Sequence, residues 1–179
     1  MIGRYQNTGQ VCAAAKRFII EAGIAEQFTD KFVAAVAALK MGDPRDEANY
    51  LGPMARFDLR DELHGQVMAT INEGATLLLG GELLSSEGNY YPATVLANVA
   101  PTMTAFRQEM FGPVAAITVA RDADHALALE CGGVFINGSS ASDARVAFGG
   151  VKKSGFGREL SHFGLREFCN VQTVWKDRR

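Results

Sequence analysis

The 179 residues contain only three cysteines, at positions 12, 131 and 169. Odd in number and far apart, they form no disulfide framework and point to free thiols in a reducing, cytoplasmic setting. No Cys-x-x-Cys occurs, and His64, His125 and His162 are scattered, so no metal-ligand spacing is present. No apolar run reaches the roughly 18 residues of a membrane span. The first residues lack the basic-then-apolar order of a secretory leader. An excess of charge of one sign is also lacking, with 18 Lys and Arg against 20 Asp and Glu. A net charge of −2 and a pI near 5.9 supply no electrostatic reason for nucleic acid or an anionic membrane as partner.

Hydrophobic residues make up 47% and charged residues 21%, the balance of an ordinary globular chain of one domain's length. A chain of this size buries about two-thirds of its unfolded surface. No internal repeat or low-complexity linker divides it.

Arg17 to Ile20 is a short β-branched apolar run, and so a strand. Ile24, Phe28, Phe32, Val36 and Leu39 share one helical face, ended by Gly42-Asp43-Pro44. Leu59, Leu63, Val67 and Ile71 repeat every four residues on a second helix, stopped at Gly74. Thr76 to Leu79 is a strand. Tyr90 to Val95 is strand-like, but Pro92 confines it to an edge or a bulge. Ala115 to Ala120 is a buried strand, followed by a helix from Ala123 to Leu129 capped by Asp122. Val134 to Asn137 is the next strand, Glu159 to Phe168 the last helix, and Val171 to Trp175 the last strand. This alternation predicts an α/β fold with a largely parallel sheet and flanking helices.

One local feature carries chemistry. The polar stretch Arg4 to Gln10 runs through Val11 into Cys12, and three alanines follow. Alanine favours helix, which predicts Cys12 near a helix N-terminus, where N–H groups favour a thiolate and an oxyanion. The same cysteine also reads as a small buried hydrophobe, and local chemistry leaves both open. None of the histidines sits in a signature that would pair it with Cys12.

Asn7-Thr8-Gly9-Gln10-Val11-Cys12, with Arg17-Phe18 beyond it, resembles the nucleophile motif of the aldehyde dehydrogenase superfamily. Gln108-Glu109-Met110-Phe111-Gly112-Pro113 and Phe148-Gly149-Gly150-Val151-Lys152-Lys153-Ser154-Gly155-Phe156-Gly157-Arg158-Glu159 match the same family in the same order. The resemblance covers nearly the whole chain and corresponds to the C-terminal part of a family member.

The resemblance implies that Cys12 attacks an aldehyde carbonyl. The thiohemiacetal passes hydride to NAD or NADP, and water releases the acid from the thioester. It implies that the Cys12 N–H is an oxyanion donor, that Glu109 accepts the nicotinamide ribose hydroxyls, and that Phe111 packs near the nicotinamide ring. The wording is most similar to bacterial succinate-semialdehyde dehydrogenases. Ser142 falls where that branch binds the distal carboxylate, with Arg145 and Arg4 as further candidates. Gln6 stands where the branch often has arginine.

The resemblance further implies a catalytic-type domain over 1–179, without the dinucleotide-binding domain, the general-base glutamate or the asparagine oxyanion donor. The start has the look of a truncation, a fragment or an internal initiation. A strand and a helix of the family are missing near Leu129-Glu130. Homo-oligomerisation through the last strand is expected. Two outcomes compete: an aldehyde-oxidising catalytic portion, and an inactive module that only folds and associates.

Overall fold

The computed structural model describes residues 2–85, 88–127, 132–138 and 142–176. The chain divides into two compact units, Met1–Ala128 and Leu129–Arg179.

The first unit is built on a four-stranded sheet. Its strands are β1 (Arg17–Glu21), β2 (Thr76–Leu79), β3 (Thr94–Ala97) and β4 (Val114–Ala120), in the order β1-β4-β3-β2. β4 pairs in parallel with both β1 and β3, Arg17 opposite Ala116 and Thr94 opposite Val114. β2 is antiparallel to β3, with an irregularity between Leu77 and Leu79.

Side chains on the central strands alternate between two cores, as a sheet covered on both faces requires. Leu96, Val114 and Ala116 face Leu63 and Val67 of the helix α3 (Phe57–Asn72). Val95, Ala115 and Ile117 face Phe32 and Val36 of α2 (Ala25–Ala37). The predicted α/β architecture with a mostly parallel sheet and flanking helices is therefore present. The phenylalanine stripe of α2 packs as a run, Phe32 lying 4.9 Å from Phe18 and 5.6 Å from Phe28 between ring centroids. Short helices complete the unit: α1 (Ile2–Tyr5), α4 (Thr104–Arg107) and α5 (Ala123–Leu127). Asp122 caps α5 as predicted, its Oδ1 accepting the His125 N–H at 2.7 Å.

Several expectations change. β3 starts two residues beyond Pro92 and lies inside the sheet rather than at an edge, so the proline never has to donate to the ladder. α2 ends at Ala37, ahead of Gly42, and the chain beyond it forms a bridge between Met41 and Leu51.

The second unit holds one described α-helix, α6 (Ser161–Glu167), shorter than the predicted 159–168. Phe148 and Glu159 exchange backbone hydrogen bonds of 2.9 and 2.8 Å. Arg158 closes the glycine-rich turn onto the carbonyls of Gly150 and Gly157, each at 2.7 Å. Neither Val134–Asn137 nor Val171–Trp175 is a strand. A strand is stable only when a neighbour accepts its ladder of N–H and C=O groups. No such neighbour pairs with either segment among the described residues. The end of the helix predicted to Leu129, together with Cys131, Ser139, Ser140 and Ala141, lies outside the described residues.

Candidate active site

The segment leading to Cys12 is held in an unusual backbone shape. Asn7, Thr8 and Gly9 all have positive φ, at 49°, 55° and 73°. Gly9 tolerates this and also permits a close approach: a Cβ there would lie 2.2 Å from the Gly112 carbonyl oxygen. The loop is thereby pressed onto the Gln108–Pro113 segment. Side chains fasten it further. Thr8 Oγ1 stands 3.2 Å from both the N–H and the C=O of Gly52, and Gln10 Oε1 accepts the Ala55 N–H at 2.9 Å.

Arg4 locks the same two segments from beneath. It is fully buried and donates to the carbonyls of Ala15 (3.2 Å), Met110 and Gly112. Burial lowers its pKa to about 10, with Tyr5 and Glu109 opposing. The expectation that Arg4 binds substrate is corrected: its two Nη atoms are committed to backbone carbonyls, its Nε is buried without a partner, and the side chain has no exposed surface. Its neighbour Tyr5, equally buried, donates to the Thr94 carbonyl at 2.9 Å, and burial pushes its phenol pKa well up.

Cys12 is exposed on a turn closed by Ala14 N–H to the Val11 carbonyl at 3.0 Å. No helix follows it. Three alanines cannot repay helix nucleation when the chain must enter β1 at Arg17. The predicted helix N-terminus is therefore replaced by a turn. The backbone N–H groups of Cys12 and Ala13 have no acceptor among the described residues, which leaves donors beside the thiol for an oxyanion.

Glu109 and Phe111 lie on the neighbouring segment and line a crevice of about 50 Å³ with Leu59, Glu62, Leu63 and Gln66 of α3. Gln66 Nε2 holds the segment through the Glu109 carbonyl at 3.3 Å. The Glu109 side chain is 59% exposed and Phe111 39%. An open carboxylate next to an open aromatic face suits a sugar diol and a flat ring. The residues present thus fit a nicotinamide riboside group.

Lys16 joins the two parts. Its Nζ donates to the Val11 carbonyl at 3.2 Å, pairs with Glu109 Oε1 at 3.3 Å, and lies 4.9 Å from the Phe111 ring centroid. Sequence reasoning missed Lys16. The only signal was a lone cation in an alanine stretch at the mouth of a strand.

Ser142 and Arg145 belong to the second unit. Ser142 is exposed. Arg145 is exposed and forks onto the Asp143 carboxylate at 2.9 and 2.7 Å, which lowers the Asp143 pKa. Arg145 also lines a depression with Leu160, His162, Leu165 and Phe168. Among the described residues no cluster of His, Cys, Asp or Glu suits a metal. No helix there is long and apolar enough to cross a membrane.

A fold of this kind, with a cysteine turn packed on a Glu-x-Phe segment, defines a class. The model of the aldehyde dehydrogenase family matches residues 1–130 and 123–174, and the chain belongs to that family. It is 71% identical to the succinate semialdehyde dehydrogenase [NAD(P)+] Sad of Escherichia coli K12, over 98% of this chain and 44% of that protein. It is 43% identical to the probable succinate-semialdehyde dehydrogenase [NADP(+)] of Synechocystis, over 96% and 44%. Among solved structures, succinate-semialdehyde dehydrogenase from Burkholderia pseudomallei superposes with a TM-score of 0.78 at 30% identity, over 93% of this chain and 40% of that one.

The chain thus spans less than half the length of these relatives. The family model matches in two pieces that share residues 123–130, and the alignment to the Escherichia coli relative runs over 203 positions against 179 residues here. A stretch of the relative therefore has no counterpart in this chain.

Proposed function

We propose that the chain carries the nucleophile and the ribose-binding edge of an NAD(P)-dependent aldehyde dehydrogenase whose substrate is succinate semialdehyde. The observation that supports this most is the packing of the Cys12 loop onto the Glu109–Phe111 segment through Gly9, Arg4 and Lys16. Cys12 thiolate attacks the aldehyde carbon, forming a C–S bond, and the carbonyl oxygen takes the negative charge beside the free N–H groups. Bound NAD or NADP would accept the hydride that this carbon releases. Water then cleaves the resulting thioester, and the thiolate leaves. Glu109 would hold the ribose hydroxyls and Phe111 would face the nicotinamide. Ser142 and Arg145 would take the distal carboxylate, Arg145 exchanging Asp143 for it.

Residues 1–179 act in this reading as one catalytic-type domain with no dinucleotide-binding domain and no general base among them. By themselves they turn over little or no aldehyde, since loss of a general base alone costs roughly 10²–10⁴-fold. The test is NADH and NADPH formation from succinate semialdehyde by the 179-residue chain and by Cys12→Ser. No turnover in either folded protein is expected. Turnover that Cys12→Ser abolishes would overturn the inactivity, and turnover that survives it would overturn the role of Cys12.

A second reading rests on exposure. Val171 (97%), Val174 (84%) and Trp175 (87%) stand in solvent, as in a segment that pairs with another copy. The chain then acts as an associating module. Light scattering of the wild type against Val174→Asp reads this, and unchanged mass in both would contradict it.

A further inference from the structure

We propose that the open edge of β1 is a self-complementary surface on which two copies of this chain pair, β1 against β1, antiparallel about Ile19. The proposal lies beyond association through Val171–Trp175 and uses a different surface, within the first unit. β1 ends the strand order and pairs with β4 alone. Among the described residues no strand takes up its outer row of N–H and C=O groups. Such a row is a template for another strand.

The two edges of the sheet are built differently. At the far edge, the pairing of β2 shifts between Leu77 and Leu79. An irregularity of that kind blunts an edge. β1 has no such break, and its residues pair with Ala116 to Ala120 in unbroken register. It contains no proline, and its charges, Arg17 and Glu21, stand at its two ends. The run between them, Phe18-Ile19-Ile20, is apolar.

That pattern reads the same against itself. In an antiparallel pair centred on Ile19, Arg17 of each copy lies opposite Glu21 of the other, and Phe18 lies opposite Ile20. A two-fold operation thus sets an opposite-charge pair at each end and apolar pairs between them. Both charged ends have room for this. Glu21 is exposed and has no ion-pair partner among the described residues. Arg17 holds the Phe106 carbonyl through Nε at 2.7 Å and through Nη2, which leaves Nη1 without a bond among the described residues. Phe18 and Ile20 share one face of the strand and pack into the Phe32 core. Ile19 lies on the other face, half-buried, and among the described residues it packs into neither core. A second Ile19 supplies the apolar neighbour it lacks. An unrelated strand would match neither the charges nor the centre.

Five residues a side is small beside the roughly 20–30 of a standard interface, so the dimer is weak and concentration-dependent. The experiment is sedimentation velocity of the 179-residue chain from micromolar to millimolar concentration, joined to hydrogen exchange read by mass spectrometry. Wild type is expected to move toward twice its 19.3 kDa as concentration rises. The peptide carrying Phe18–Ile20 should exchange more slowly in the concentrated sample. Glu21→Arg sets like charges at both ends and should weaken association roughly fivefold or more, with added salt relieving the loss. Ile19→Lys, which puts two ammonium groups on the axis, should also weaken it. This variant decides the matter if Glu21→Arg does not fold by circular dichroism. In the Val174→Asp background the β1 dimer should persist.

A wild type that stays monomeric throughout overturns the proposal. So does a dimer whose Phe18–Ile20 exchange is independent of concentration, or one that Glu21→Arg and Ile19→Lys leave unchanged. A dimer abolished by Val174→Asp also overturns it and assigns association to the last segment. Neither aldehyde nor nucleotide enters the readout, so failure here is distinct from failure of the proposed dehydrogenase chemistry.

Discussion

Gly9 illustrates how narrowly the site is built at the level of single residues. A side chain there meets the Gly112 carbonyl oxygen at 2.2 Å and must also adopt a φ of 73°. Gly9→Ala is expected to cost about 1–3 kcal/mol of stability, measured by urea unfolding, because a strained φ and a backbone clash act together. Tyr5 gives a pH signature. Burial raises its pKa above the ordinary tyrosine value of 10.0, and the same holds for Tyr91. The folded state then keeps protons that the unfolded state sheds. Their contribution is fully present below pH 10 and is lost as pH rises beyond it. Arg4, lowered to about 10, opposes part of this. Denaturation followed above pH 10 should show a steep loss of stability in wild type and a shallower one in Tyr5→Phe. At this scale the sequence named candidates for the chemistry and not the residues that build their support. Arg4 reads as a substrate ligand because an arginine near a nucleophile looks functional. Its true partners, the carbonyls of Met110 and Gly112, are more than a hundred positions away.

Among the elements, α3 backs the segment that carries Glu109 and Phe111. Leu63 is buried against Gly112, where a Cβ would approach its Cδ2 to 2.3 Å, and it lines the crevice beside Glu109 and Phe111. Leu63→Ala is expected to destabilise the chain by about 2–5 kcal/mol. Chemical denaturation measures it, and a loss below half a kilocalorie would contradict the packing described. α2 and α3 were legible because their apolar residues recur at helical spacing on the face each buries, and β4 because its apolar run is buried almost throughout. The turn at Cys12 was not, because helix propensity over three alanines is weaker than the pull of the adjoining strand. Val134–Asn137 and Val171–Trp175 have strand composition yet form none. Propensity describes fitness for a pleated surface and supplies no neighbour to pair with.

For the molecule as a whole, the two units and the two-piece family match meet at the same place, around residues 123–130. The three ordered motifs made the family legible, and the two-piece match shows that the resemblance is interrupted. The account rests on Cys12 being a nucleophile toward carbonyl carbon, and that can be measured without cofactor. An activated ester such as p-nitrophenyl acetate acylates a reactive thiol, and Cys169, also free and exposed, is an internal control in the same molecule. Peptide mapping of the 179-residue chain after brief exposure at neutral pH should place the acetyl group on Cys12 about tenfold or more ahead of Cys169, as a site with aimed N–H donors requires. Equal acetylation of the two thiols, or faster acetylation of Cys169, would contradict the assignment of Cys12 as the nucleophile.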